Sequence, residues 1–263
     1  MTMLPSTIMG INQLPLDEKR EVYTRLIPPL LVERLKINPS FITDEGIDLF
    51  TLKAVPGSSN VEMALYHKPG FPDPVLYGHL TDTLIGQTHI LLYALADPAS
   101  PRYDVDRLAD GRSTVFGTRY RNLEAEEAAM QAGLAPGQIR RGLRMLSQAI
   151  LGFEKLIASL QHDLYFVEPL YYHNAVIFER YGFAYQQGRQ LMEEIEIGFN
   201  PGGNLISRLD GSTSFRHPEA AASCRLRSWA IHDGILGEAF TNVTMYKRLG
   251  ISANVFTCPN LRW

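Results

Sequence analysis

The chain has 263 residues, of which 45% are hydrophobic and 20% charged, and its net charge is −3. Such a composition is typical of a globular protein with a substantial core and excludes an intrinsically disordered chain. The slight acidity provides no basic surface, so we expect neither nucleic acid nor a membrane as a partner. The N-terminus lacks a secretory h-region and only two cysteines occur, which predicts free thiols and a cytoplasmic protein.

The first predicted element is a helical segment. Residues 17–36 carry apolar side chains at helical spacing, and Asp17 is placed to cap the start. Pro28 and Pro29 lie inside the pattern, and proline interrupts helical hydrogen bonding. We therefore expect two short helices that pack across the main body.

Four runs of strand character follow, separated by short turns rich in proline and glycine. Connections this short join antiparallel neighbours, because a parallel crossover needs a dozen or more residues. We therefore expect an antiparallel meander over residues 47–96. Within it His79 and His89 should face each other across a hairpin centred near residue 84. The four runs are 47–55, 61–67, 75–83 and 87–96.

Two helices are predicted next. Asn122 can cap the first, and Gly133 can end it at the C′ position. Pro136 is suited to the start of a second helix over 137–161, which would be roughly 37 Å long. Its apolar stripe, at spacings of three and four, consists of Ile139, Leu143, Leu146, Ile150, Phe153, Ile157 and Leu160.

A strand, a helix and a strand complete the predicted core, over residues 163–171, 174–181 and 185–199. Together with the meander they predict an α+β protein with a mixed sheet. We expect one compact domain over residues 1–263, with a core at 47–199. Residues 200–263 are a C-terminal extension to which the sequence assigns no role.

The order of these elements resembles the core of the GNAT acetyltransferases. The segment HNAVIFERYGF, His173–Phe183, is similar to a late signature of that family. The resemblance implies acetyl-CoA or another acyl-CoA as the cofactor. It also implies transfer of the acyl group to an amine, carried by a small molecule or a peptide.

The resemblance also suggests catalytic residues. The family's tyrosine, which protonates the CoA thiolate, corresponds to Phe178, which has no proton to give. Tyr181 and Tyr172 flank that position, and Tyr181 is our candidate acid. Deprotonation of the amine needs a base, for which His89 or an acid on the meander is a candidate. His173 is a further candidate because it lies in the signature.

A loop before the long helix is the candidate cofactor site. It is the nearest local equivalent of the family's pyrophosphate loop, although its spacing differs. A glycine-flanked helix start presents free N–H groups and a positive dipole end to a phosphate. Clustered arginines there are unfavourable unless an anion binds. The candidate residues are Gln138, Ile139, Arg140, Arg141, Gly142 and Arg144.

Two alternatives remain open. The chain could be a non-catalytic scaffold that binds a ligand or forms a homodimer, which Phe178 favours. It could also be a metal-dependent enzyme that uses C-terminal histidines such as His232, which Asp233 follows. No group of residues has metal-ligand spacing, so we predict no metal site.

Overall fold

The computed structural model describes residues 4–115, 117 and 119–263. These residues adopt an α+β fold, which confirms the predicted class. Seven strands of the described chain form one mixed sheet in the order β1-β2-β3-β4-β5-β7-β6. The strands are β1 (Phe50–Lys53), β2 (Asn60–Leu65), β3 (Leu76–Asp82), β4 (Thr88–Leu95), β5 (Leu164–Val167), β6 (Ala184–Gln187) and β7 (Thr244–Arg248).

Eight α-helices are present in the described residues. The first helical segment is interrupted before Pro29, as predicted, but Asp17 lies inside the first turn and Pro15 occupies the N-cap. The helices are α1 (Ile8–Asn12), α2 (Leu16–Thr24), α3 (Pro29–Arg34), α4 (Leu123–Gln131), α5 (Leu146–Ser159), α6 (Tyr172–Arg180), α7 (Arg189–Phe199) and α8 (Cys224–His232).

The meander is confirmed, since β1, β2, β3 and β4 pair in sequence and antiparallel. The expected facing of His79 and His89 is wrong. His89 lies opposite Thr81, because the hairpin is centred near residue 85 and not 84. The register shift beyond Leu80 then places His79 opposite Leu92.

The chain divides into two compact units. Unit 1 comprises the described residues up to Ala99, together with Gly142–Glu168 and Tyr246–Ile251; unit 2 comprises the remainder. Within the C-terminal extension, Tyr246–Ile251 belongs to unit 1 and the other residues to unit 2. The expectation of a single compact domain with a core at 47–199 stays a prediction.

Helix α5 forms the core of unit 1 against the sheet. The ring of Phe153 lies 5.0 Å from that of Tyr93 and 6.1 Å from that of Tyr165, measured between centroids. Ile150 and Ile157 are buried beside it, as the stripe predicted, whereas Leu146 is only half-buried.

The predicted start of this helix is wrong by nine residues. Gly137 and Arg144 have φ angles of 77° and 57°, and residues in this left-handed region cannot continue an α-helix. Gly142 instead bridges Ala96 in extended conformation. Ile139 carries an apolar side chain because it packs against the core of unit 2. Ile139 therefore fits the helical spacing of the apolar stripe by coincidence and does not belong to the helix.

The strand predicted over residues 185–199 is also wrong beyond Gln187. Gly188 has a φ of 90°, and its backbone lies so close to Val243 that a Cβ would clash. Helix α7 follows, and it buries Met192, Ile195 and Phe199 at spacings of three and four. Ile197, which the strand interpretation placed inward, is 66% exposed.

Unit 2 has its own core around Trp229. The indole Nε1 donates to the carbonyl of Leu134 at 2.8 Å, and the ring stacks on Phe215 at 5.3 Å. Helix α4, capped by the side chain of Asn122 as predicted, contributes Ala129 to the same cluster.

Candidate functional site

The most unusual feature of unit 1 is the brief pairing of β4 with β5. These strands run parallel, yet only residues 89–90 pair with residues 166–167. Strand β5 then ends near Pro169, which has no N–H to extend a ladder. Strand β4 continues, and in the described chain no strand pairs with its β5 side along residues 91–95. This open edge is about 17 Å long.

A β-bulge marks the point where the edge opens. His79 pairs with Leu92 but Leu80 pairs with Ile90, so Leu91 has no partner on β3. Bulges bend a strand and re-aim its side chains, and they are over-represented beside active sites. Ala94 is exposed although β4 is the fourth of seven strands. The other residues of the open edge, from Leu91 to Leu95, are half-buried, so this edge is partly accessible.

The far end of the open edge meets the start of α5. Ala96 forms an antiparallel bridge with Gly142, and α5 begins after Met145 without a side-chain cap. Ala149 makes the first helical hydrogen bond, so the N–H groups of residues 146–148 are not used within the helix. Arg144 is exposed beside them. Free N–H groups, a helix dipole and a guanidinium suit a phosphate.

The remaining candidate loop residues lie in unit 2. The side chain of Gln138 accepts a hydrogen bond from the backbone N–H of Ala135 at 2.8 Å. Arg140 donates to the carbonyl of Ser100, and the N–H of Arg141 donates to the Ser100 hydroxyl at 3.1 Å. The predicted N–H groups near residues 139–142 are therefore not those of a helix start. The helix start lies at residues 146–148.

His89 lies where β4 and β5 begin to diverge. Its ring is mostly buried, and Nε2 is itself shielded from solvent and makes no hydrogen bond in the described residues. The nearest charge is Oε2 of Glu168, at 4.0 Å. Burial lowers the pKa of His89 below its usual value, and the Glu168 carboxylate only partly opposes this. A neutral imidazole with an unpaired nitrogen can serve as a general base for an amine that comes within hydrogen-bond distance of that nitrogen.

Sequence reasoning missed the neighbours of His89. Phe166 lies 6.2 Å from the His89 ring and 6.3 Å from the Tyr246 ring, between centroids. Glu168 follows on the same side of β5, because side chains alternate along a strand. The apolar pattern of residues 164–167 could have placed Phe166 on a sheet face. No local signal connects Tyr246, about 80 residues later, to it.

Tyr181 immediately follows α6 in unit 2, and its side chain is 38% exposed. Phe178 lies within α6, with its ring 5.1 Å from that of Phe183. A role for Tyr181 as the proton donor stays a prediction.

His173 is buried in unit 2, and both ring nitrogens are engaged. Nδ1 lies 2.9 Å from the Ser228 hydroxyl, and Nε2 lies 3.2 Å from the side-chain amide nitrogen of Asn174. Burial, assisted by the positive charge of His232, lowers the pKa of His173 to about 3. This environment favours a structural role over that of a base.

The pKa of His173 predicts a dependence of stability on pH. A histidine in the unfolded chain has a pKa near 6.5, so the unfolded state takes up a proton first as the pH falls. The stabilisation is complete above pH 6.5 and is lost progressively below it. Between pH 7.5 and 5.5 we expect a loss of about 1.4 kcal/mol from this residue. Urea unfolding of wild type and His173→Gln at both pH values measures it. The exposed His217→Gln is the control, and equal pH dependence in all three proteins would contradict the assignment.

The His232-Asp233 pair belongs to a network of ion pairs in unit 2. Nε2 of His232 lies 3.2 Å from the Glu126 carboxylate. Arg121 and Arg216 donate to Asp233 at 2.7 and 2.9 Å. Burial acts to raise the pKa of Glu126, but hydrogen bonds from His232 and Arg121 lower it overall. The network connects α4 to α8, which is a structural use of this pair.

The described residues include no group of three or more His, Cys, Asp and Glu side chains arranged to hold a metal ion. Comparisons with protein-family models, with curated proteins and with solved structures each gave no match. No helix in the described part of the chain is both long and apolar enough to span a membrane.

Proposed function

We propose that this protein transfers an acyl group from acyl-CoA to an amine. The observation that carries the proposal is the open edge of β4, from Leu91 to Leu95. An extended molecule that contains amide groups can pair with such an edge as an added strand. The pantetheine arm of CoA has two amides and ends in the thioester.

The groups at the two ends of the open edge support an orientation with the pyrophosphate near α5 and the thioester near His89. At one end lie the α5 N-terminus and Arg144, which suit the pyrophosphate. At the other end lies His89, whose buried Nε2 has no hydrogen-bond partner in the described residues and would take up the proton of an amine that reaches it. A thioester carbonyl near the Leu91 bulge would then be close to the base.

The pyrophosphate part of the proposal predicts the effect of removing one arginine. A charge-assisted hydrogen bond contributes about 1.5–3 kcal/mol, so Arg144→Gln should weaken CoA binding at least tenfold. Isothermal titration calorimetry with CoA measures the change. The control is Arg25→Gln, which removes an exposed guanidinium of the same unit. Equal affinity in both variants would contradict the site, and absence of CoA binding to wild type at millimolar ligand would contradict the function.

The sequence gives Arg140, Arg141 and Arg144 equal weight as ligands of the pyrophosphate. Because Arg140 already donates to the Ser100 carbonyl, we expect Arg144 to contribute more to CoA affinity. A variant in which glutamine replaces all three arginines should therefore lose little more CoA affinity than Arg144→Gln. A much larger loss of CoA affinity in that variant would show that all three arginines bind the pyrophosphate.

A binding scaffold is the second candidate, because Phe178 stands where the resemblance implies a tyrosine proton donor. Such a scaffold would bind CoA and leave acetyl-CoA intact in the presence of amines. Release of free thiol from acetyl-CoA, detected with a chromogenic disulfide, distinguishes the two candidates. Sustained release that depends on amine supports the enzyme.

We place the reaction in the cytoplasm. Cys224 and Cys258 are both free and buried, and free thiols persist in a reducing compartment. Burial raises the pKa of the Cys224 thiol to about 12, which keeps it protonated and unreactive. Fractionation of cells that express the tagged chain tests the location.

A further inference from the structure

One face of the sheet in unit 1 carries a row of three rings. His89, Phe166 and Tyr246 belong to the adjacent strands β4, β5 and β7. Helix α5 covers the opposite face, where Tyr165 stacks on Phe153 and Lys247 lies 3.7 Å from Glu154. All three rings of the row are partly exposed. The row is therefore open to a ligand.

The row has a negative end at Glu168. Glu168 is 47% exposed, and its one ion-pair partner in the described residues is His89, whose lowered pKa leaves it neutral at pH 7. Arg248 lies two residues beyond Tyr246 and is paired with Asp163 at 2.8 Å. A carboxylate beside aromatic rings attracts cations, because ring faces are also negative.

We propose that the row binds the acceptor as a primary ammonium ion attached to an aromatic or other apolar group. The ammonium contacts Glu168, and the apolar group lies on Phe166 and Tyr246. This inference rests on the proposed acyl transfer and names its substrate class. An acceptor with a carboxylate near its amine is disfavoured, because that carboxylate would face the Glu168 carboxylate.

The proton balance fits this arrangement. Nε2 of His89 takes one proton from the ammonium, and the free amine attacks the thioester carbonyl. The carbon–sulfur bond breaks, and the nitrogen loses a second proton as the amide forms. The CoA thiolate takes up one proton, so each turnover releases one proton overall. No oxidant or further reactant is needed.

Benzylamine is a probe for this site, with benzyl alcohol as the neutral analogue and phenylalanine as the one that carries a carboxylate. Ligand-observed NMR on the protein without CoA measures binding of each. We expect benzylamine to bind at least fivefold more tightly than the other two. Equal binding of benzylamine and benzyl alcohol would overturn the proposal, whatever the outcome for CoA.

Two variants separate the roles in the row. Glu168→Gln should raise the KM for benzylamine three- to tenfold and leave CoA affinity unchanged. The expected rise in KM is modest because the ion pair between the ammonium and Glu168 is half-exposed. The exposed Glu33→Gln is the matched control. Phe166→Leu keeps an apolar residue in the strand and should raise the same KM without changing the melting temperature by more than a few degrees.

The outcomes also distinguish this inference from the proposed function. If acetyl-CoA is consumed with other amines while Glu168→Gln leaves the KM for benzylamine unchanged, the acceptor class is wrong and acyl transfer stands. If benzylamine binds through Glu168 but CoA does not bind, the ammonium site stands and acyl transfer is wrong.

Discussion

Replacement of His89 with glutamine should lower kcat/KM for acyl transfer by about 10²- to 10⁴-fold, the usual contribution of a general base. Nε2 of His89 is free of hydrogen bonds and lies at the point where β4 and β5 diverge. Glutamine preserves a polar side chain of similar reach but cannot take up a proton. CoA affinity should be unchanged, because the groups proposed to bind the pyrophosphate lie at the other end of the open edge.

The matched control is His79→Gln on the adjacent strand, where the residue pairs with Leu92 and has no part in the proposed chemistry. In wild type the acidic limb of the pH–rate profile should lie below pH 6.5, because burial lowers the pKa of His89 despite the facing Glu168 carboxylate. Equal rates in His89→Gln and wild type would eliminate His89 as the base.

The largest effect on stability should follow from Phe153→Ala. This ring is 3% exposed and contacts Tyr93 and Tyr165. Its removal loses transfer free energy and leaves a cavity, at an expected cost of about 3–5 kcal/mol. Urea unfolding followed by circular dichroism measures the change in the free energy of unfolding.

Helix α5 provides its own control. Leu151 is 49% exposed, and alanine is a good helix former, so Leu151→Ala should change the free energy of unfolding by less than about 0.5 kcal/mol. A loss below 1 kcal/mol for Phe153→Ala would mean that α5 is not packed on the sheet as described.

The candidate site was only partly predictable. His89 could be named from the sequence only as one of several titratable side chains on the predicted meander. Arg144 could be named only together with Arg140 and Arg141, because the three arginines cluster near the predicted start of the long helix. Glu168 and Tyr246 could not, since they reach His89 through the β4–β5 and β5–β7 adjacencies. The spacing of residues along the sequence does not predict which distant strands lie side by side.

By itself the sequence determined the α+β class, the antiparallel meander and the helix caps at Asn122 and Gly133, because short turns, alternation and capping act between residues close in the chain. Only the tertiary structure decided where α5 begins and that residues 189–199 are helical. At Ile139 the apolar side chain serves unit 2, and at Gly188 a close backbone contact imposes the turn. The open edge of β4 likewise depends on where a parallel partner strand from 77 residues later stops pairing, which local periodicity does not encode.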